Sequence, residues 1–215
     1  MNLPLPGISI LQTPEVIHLR SQSPLSALSS AIVGGGFRRV RHILNAYVDK
    51  DYNSMTPQAD LRTLARRLGI EGPFVGLLTA VPLRKARLAF FEEDGISVGA
   101  LITAGVGNAA SAGITPPFRS SPGTINSILL LDANPSRSAM LDAFISATEA
   151  KTATLQARHV RTLDGDLATG TSTDTITIVA TGRGERQKYA GPVTLLGWLI
   201  GRAIRQALNE SLDAE

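Results

Sequence analysis

The dipeptide Asp94-Gly95, set between the apolar runs 85–92 and 96–106, constrains the fold more than any other feature of this chain. Asp-Gly favours a primed turn, whose positive φ angles and twist match antiparallel strands. The two runs are therefore expected to pair as a hairpin, which puts antiparallel sheet in the middle of the chain. Further strands are expected at 16–19, 27–33, 40–48, 75–81, 123–131 and 173–181, where apolar or β-branched runs meet turn residues. Three helices interrupt them. Thr56-Pro57 opens the first, which runs to Leu68 with Gly69 past its end, and Leu61, Leu64, Ala65 and Leu68 form its apolar stripe. Pro135-Ser136 starts the second, reaching about His159. The third runs from Thr194 to about Leu212, burying Leu196, Leu199, Ile200 and Ala203, while Gly197 and Gly201 permit a close backbone crossing. The expected fold is α+β, a single domain over residues 1–215, mainly antiparallel sheet with helices packed on it.

Composition excludes several classes. Cysteine is absent and no charged-then-apolar leader opens the sequence, so a cytoplasmic location is expected. No apolar run approaches the ~20 residues that span a bilayer. The net charge is +3, but basic residues cluster only at Arg38-Arg39 with Arg41 and at Arg66-Arg67, with few aromatics among them. Nucleic acid is not an expected partner.

Nearly every residue able to do chemistry falls between Leu101 and Asp174. Thr103, Gly105, Gly107 and Asn108 end one apolar run, and Gly123-Thr124-Ile125-Asn126 begins another. Thr148, Glu149, Lys151 and Thr152 lie inside the second helix, and Gly170-Thr171-Ser172-Thr173-Asp174 stands at the mouth of the next strand. Along that helix Met140, Phe144, Ala147, Lys151 and Leu155 share one face, and Leu141, Ile145, Glu149 and Thr152 a neighbouring one. Both faces turn from apolar to charged. Either the two charges meet partners in a polar cavity that offsets their desolvation, or the helix end emerges into solvent. Earlier in the chain Gly34-Gly35-Gly36 either walls a ligand or makes a wide turn between strands. The segment 115–122 is too rich in proline for regular structure and is a candidate lid.

Amides and hydroxyls at strand ends, with one acid and one base nearby, suit a reaction that polarises a carbonyl and moves a proton, as amide or ester hydrolysis does. His18, His42 and His159 are scattered, so a protein-bound metal is not expected. No Gly-x-Ser-x-Gly elbow is present. The residues alone read as a hydrolase or a binder of a polar ligand.

Five clusters carry a resemblance. Ser29-Ser30-Ala31-Ile32-Val33-Gly34-Gly35-Gly36, Thr103-Ala104-Gly105-Val106-Gly107-Asn108-Ala109, Gly123-Thr124-Ile125-Asn126, Ala147-Thr148-Glu149-Ala150-Lys151 and Thr169-Gly170-Thr171-Ser172-Thr173-Asp174 resemble the adenosylcobinamide amidohydrolase family in order and spacing, from about Ser29 to Arg205. The resemblance implies hydrolysis of the amide between the aminopropanol arm and the corrin ring of adenosylcobinamide, giving adenosylcobyric acid. It implies Glu149, Lys151 and Asn126 as catalytic residues, with Glu149 activating water or protonating the leaving amine. Gly34, Gly35, Gly36, Asn108, Thr124, Thr171, Thr173 and Asp174 would bind the corrinoid. No resident cofactor or metal is implied, since cobalt arrives inside the substrate. One segment departs from the family's pattern. After Tyr189-Ala190-Gly191, where a His, a Lys and a Glu are expected, this chain has Pro192-Val193-Thr194-Leu195-Leu196-Gly197-Trp198. That change keeps two alternatives open, a non-catalytic corrinoid-binding protein and a hydrolase of an unrelated amide. The apolar 193–198 patch is also a candidate interface for a homo-oligomer.

Overall fold

The computed structural model describes residues 3–117 and 123–214. The chain runs β1 (Ile8–Gln12), β2 (Val16–Ser29), β3 (Gly36–Tyr47), α1 (Pro57–Arg67), β4 (Phe74–Thr79), β5 (Arg87–Glu93), β6 (Ile96–Ala104), β7 (Ala109–Ala110), β8 (Ile125–Asp132), β9 (Asn134–Pro135), α2 (Arg137–Ala157), β10 (Gly170–Thr171), β11 (Thr175–Ala180), β12 (Arg186–Gln187) and α3 (Leu195–Asp213). Eight strands make one sheet in the order β4-β3-β2-β11-β8-β6-β5, with β1 pairing to β2. The expected α+β fold is what forms. Most neighbours are antiparallel, while β3–β4 and β8–β11 are parallel. Parallel strands need a long crossover, and α1 and α2 are those two crossovers.

Local chemistry accounts for most element ends. Asp94 (φ 48°) and Gly95 (φ 74°) make the primed turn between β5 and β6. Pro57 opens α1 and Gly69 follows it at φ 69°. The Ser136 hydroxyl accepts from Ala139 N at 3.0 Å and caps α2, and Thr194 caps α3 by accepting from Gly197 N at 3.1 Å. One expectation is corrected. Residues 16–19 and 27–33 are not two strands; β2 runs unbroken from Val16 to Ser29 because Pro24 falls inside a register irregularity between Arg20 and Leu25, where no ladder N–H is required. The proposed lid at 115–122 lies largely outside the described residues.

The sheet curls. On its outer face, α2 and α3 pack against Val98, Ile102, Ile125, Leu129, Ile176 and Ile178. On its inner face Ile43, Val75 and Leu77, from one end of the strand order, join Leu101, Ile128 and Leu130 from the other in a single buried cluster. Strands so far apart in the order share that cluster because the sheet closes over its own inner face. α1 covers the outside of β3 and β4, burying Leu61, Leu64 and Ala65 against Leu44, Ala46 and Phe74. Each fully buried leucine contributes roughly 1.5–3 kcal/mol relative to exposure.

The histidines are not all scattered. His18 and His42, brought together by the pairing of β2 with β3, hydrogen-bond ring to ring at 3.0 Å between Nε2 and Nδ1. Burial lowers the pKa of both; His42 and then Arg20 add to the shift at His18, and Arg20 and then Arg41 at His42. Their protons therefore bind more tightly to the unfolded chain, where the value is about 6.5. Stability from this pair is complete above that pH and declines as pH falls through it. Thermal denaturation should give a level Tm above pH 7 and a falling one below pH 6.5, with the decline flattened in a His18→Gln/His42→Gln variant. An unchanged slope in that variant would remove the pair as its origin.

Candidate functional site

At one rim of the curled sheet the inner core turns from aliphatic to polar. β8 and β11 begin there and β6 ends there, because Asn126 stands opposite Thr103 on one side and Thr175 on the other. Side chains alternate across a strand, so Thr103, Asn126, Asn45 and Thr177 project to the inner face, where Leu101, Ile128, Ile43 and Val179 lie one step deeper. Asn126 is 1 % exposed. Its Nδ2 donates to Asn45 Oδ1 and to Leu78 O, each at 2.8 Å, and its Oδ1 lies 3.5 Å from Thr124 Oγ1, whose proton it shares with the nearer Thr173 O. Asn45 Nδ2 in turn donates to Thr103 Oγ1 at 3.0 Å. A cleft of about 400 Å³ opens above this network, bounded by Thr124, Thr173 and Thr175 on one side and Ile32, Leu77 and Thr79 on the other.

Asn108, in the turn between β6 and β7, stands at the edge of the cleft. Its Nδ2 donates to Gly123 O and to Ser172 Oγ, both at 2.7 Å. Its Oδ1 is buried and has no hydrogen-bond partner among the described residues. A Cβ at Gly123, a residue that lines the cleft, would overlap that oxygen. Asn108 Oδ1 thus occupies the place that a side chain at 123 would take, and an acceptor buried there without a donor costs about 1–3 kcal/mol. The Thr173 hydroxyl also donates to Gly123 O, at 2.9 Å, and Thr124 Oγ1 donates to Thr173 O at 2.8 Å.

The charged pair lies on the other face of β11. Lys151, one of the buried residues of α2, forms an ion pair with Asp174 Oδ2. Asp174 also accepts from Ile125 N and Thr171 N, each at 3.1 Å, and from the Thr171 hydroxyl. Two donors on each oxygen occupy its acceptor positions. A carboxylate so engaged is a clamp that joins α2, β8 and β10, and it has no vacant lone pair with which to take a proton from water. Gly170 covers the pair, since a Cβ there would overlap Asp174 Oδ2 and lie 2.7 Å from Lys151 Nζ.

The residues expected at the site are therefore divided. Thr124 and Thr173 line the cleft, Asn126 is buried behind Thr124 and Asn108 is bonded to Gly123 at the edge, while Lys151, Thr171 and Asp174 form the clamp. Glu149 joins neither group. Its expected core-facing stripe turns to solvent, with Leu141 50 % and Ile145 55 % exposed, because the Met140-Ala147-Lys151 face of α2 is the one packed against α3 and the sheet. Glu149 is exposed and makes no ion pair among the described residues. The glycine triplet forms the wide turn between β2 and β3. Gly34 (φ 75°) crosses the Phe74 backbone so closely that a Cβ would overlap its carbonyl oxygen, and a Cβ on Gly35 would lie 2.8 Å from Ala31 O. Ile32, from the same turn, is the side chain that reaches the cleft. Asn45 was missed, although a lone amide within Ile43-Leu44-Asn45-Ala46 is the signal of a buried polar partner.

The departing segment 192–198 sits at the far end of the sheet. Ala190 accepts from Ser146 Oγ at 2.8 Å, and β12 pairs with β9 beyond the end of β8, whereas the cleft lies at the start of β8. α3 runs from that far end back to the cleft end, where Ser211 accepts from Ala104 N at 3.0 Å.

Comparisons with known proteins agree on a family. Its profile, described as adenosylcobinamide amidohydrolase, matches residues 6–215. The chain is 33 % identical over 210 residues to the adenosylcobinamide amidohydrolase of Methanosarcina mazei, an alignment covering 91 % of this chain and 96 % of that one. It is 41 % identical over 92 residues to the uncharacterized protein MJ1613 of Methanocaldococcus jannaschii, covering 42 % of this chain and 36 % of that one. Among solved structures it resembles the PH0078 protein from Pyrococcus horikoshii OT3, with a TM-score of 0.52 and 12 % identity over 97 % of this chain and 83 % of that one, a likeness of fold alone. The residue clusters, the fold and these matches together establish that the chain belongs to the adenosylcobinamide amidohydrolase family.

Proposed function

We propose that the protein hydrolyses the amide joining the aminopropanol arm to the corrin ring of adenosylcobinamide, releasing aminopropanol and adenosylcobyric acid. Water adds to the amide carbonyl, the C–N bond breaks, and a proton passes to the leaving amine. Cobalt belongs to the substrate in this reading.

The observation that carries it is the row of hydroxyls on one side of the cleft, Thr124, Thr173 and Thr175, facing the apolar Ile32 and Leu77. Hydroxyls held at a cleft suit the N–H and carbonyl groups that the scissile amide and the propionamide fringe of a corrinoid both present. The buried amides of Asn126 and Asn45 lie behind this wall, tied to it through Thr124 and Leu78. Such fixed dipoles act without reorganising during the reaction. Lys151, held by Asp174 beneath β11, supplies a positive charge behind the rim. The distance of segment 192–198 from the cleft speaks against reading its missing charges as lost catalysis.

The test is to incubate the protein with adenosylcobinamide and follow corrinoid products by chromatography and mass. Adenosylcobyric acid with equimolar aminopropanol is the expected result. Corrinoid that stays intact while remaining bound to the protein would replace the hydrolase with a binder.

A further inference from the structure

A cleft of about 400 Å³ is too small for a corrin macrocycle that also carries a nucleoside, so a substrate of that kind must extend beyond it. A cavity among the described residues adjoins it directly. A second space of about 300 Å³ shares Val48, Tyr52 and Leu78 with the cleft, so the two meet at a common wall. Its floor is apolar, made by Tyr47 with Leu61 and Leu64 of α1. Its rim carries Asp60 and the Glu15–Arg67 ion pair. The Tyr52 hydroxyl donates to Asp60 Oδ2 at 2.6 Å and so fixes the ring between the two spaces. The larger cavity, about 720 Å³ beside β1, has Arg84 as its one charged lining residue and no carboxylate.

A nucleoside presents a flat, largely apolar base and a ribose whose neighbouring hydroxyls are hydrogen-bond donors. An apolar floor bordered by an ionised carboxylate complements both, and a carboxylate is a recurrent partner of ribose hydroxyls in nucleotide-binding folds. Hydrogen bonds from Ser54 and Tyr52 hold the Asp60 carboxyl below the usual aspartate value. We infer that this second cavity is a nucleoside subsite, in which Asp60 accepts the ribose hydroxyls and the Tyr52 ring separates the base from the amide-binding cleft. The inference rests on adenosylcobinamide as the substrate and adds the residues that select for its adenosyl group.

Hydrolysis should be measured on adenosylcobinamide and on cobinamide with water or cyanide in place of the nucleoside. Asp60 is exposed, so Asp60→Ala retains the fold. The ratio of kcat/KM for the two substrates should fall about tenfold in that variant, the loss expected for one charge-assisted hydrogen bond. A ratio unchanged from that of the unsubstituted protein overturns the inference. Binding of adenosine alone, read by saturation transfer to its base protons, gives a measure independent of turnover. Transfer should be present in the unsubstituted protein and mostly lost in Asp60→Ala; its absence from the unsubstituted protein overturns the subsite even in an active enzyme. Adenosine binding through Asp60 in a protein that cleaves neither corrinoid would sustain the subsite and reject the amidohydrolase reading.

Discussion

Asp174→Ala is expected to lower stability by about 3–5 kcal/mol, the range for breaking a buried ion pair, which in a domain of this size moves Tm down by roughly 6–20 °C. The substitution strands the Lys151 ammonium and leaves the N–H groups of Ile125 and Thr171 without their acceptor. Lys151→Met should cost less, because Asp174 keeps two backbone donors and the Thr171 hydroxyl. The two effects should not add. In the double variant no charge is stranded, so Lys151→Met should recover part of the loss caused by Asp174→Ala, while the unpaired N–H groups keep the double variant below the unsubstituted protein. Denaturant titration of the four proteins closes the cycle. Additive losses would mean that Lys151 and Asp174 are not coupled.

The second large effect separates two glycines in one helix. Gly197 and Gly201 both lie in α3, where helix propensity alone favours alanine by about 1 kcal/mol. Gly201 has open space where its Cβ would go, so Gly201→Ala should stabilise by roughly 0.5–1 kcal/mol. Gly197 has none. A Cβ there would overlap the Gly191 carbonyl oxygen, and the 190–191 backbone is itself tied to α2 through Ser146. Overpacking against backbone outweighs propensity, and Gly197→Ala should cost about 3 kcal/mol, or roughly 6–12 °C in Tm. Thermal denaturation of the two variants checks the opposite signs. Stabilisation of both would show that the 190–191 segment moves aside freely.

That contrast also marks what the sequence could tell. Pairing of two glycines four apart suggested a close crossing, but which one is crossed depends on a loop from elsewhere in the chain. Local signals did better. The Asp94-Gly95 turn, the Pro57 start of α1 and the Ser136 cap of α2 follow from adjacent residues and were legible in advance. The continuity of β2 was hidden by Pro24, which reads as a breaker until the register irregularity that accommodates it is known. At the site, the threonines and asparagines at strand ends were recognisable by type and position. Their division between the two faces of β11 was not, because it depends on register. Thr173 and Thr175 face the cleft while Asp174, between them, meets α2. For Glu149 the sequence left two outcomes open, a polar cavity or solvent, and the structure has the side chain in solvent. The apolar residues Leu141 and Ile145 suggested a buried stripe, yet α2 meets α3 and β11 through its Met140-Ala147-Lys151 face and leaves the Leu141-Ile145 face exposed.

The position of β11 governs the order in which the molecule can assemble. It is the central strand of the sheet order, with β2 on one side and β8 on the other, and it is the last of the eight to be synthesised. Until residues 175–180 emerge, the β4-β3-β2 group and the β8-β6-β5 group have no strand to join them, and each presents an unpaired edge. The strand pairing that joins their ladders, β2 with β11, spans 148 residues at the Ser29–Thr177 hydroxyl pair. Contacts of such sequence separation slow folding, and open edges invite pairing with other chains. A nascent chain halted before Thr175 would therefore carry two sticky half-sheets, and the emergence of residues 175–180 becomes the event that closes both edges.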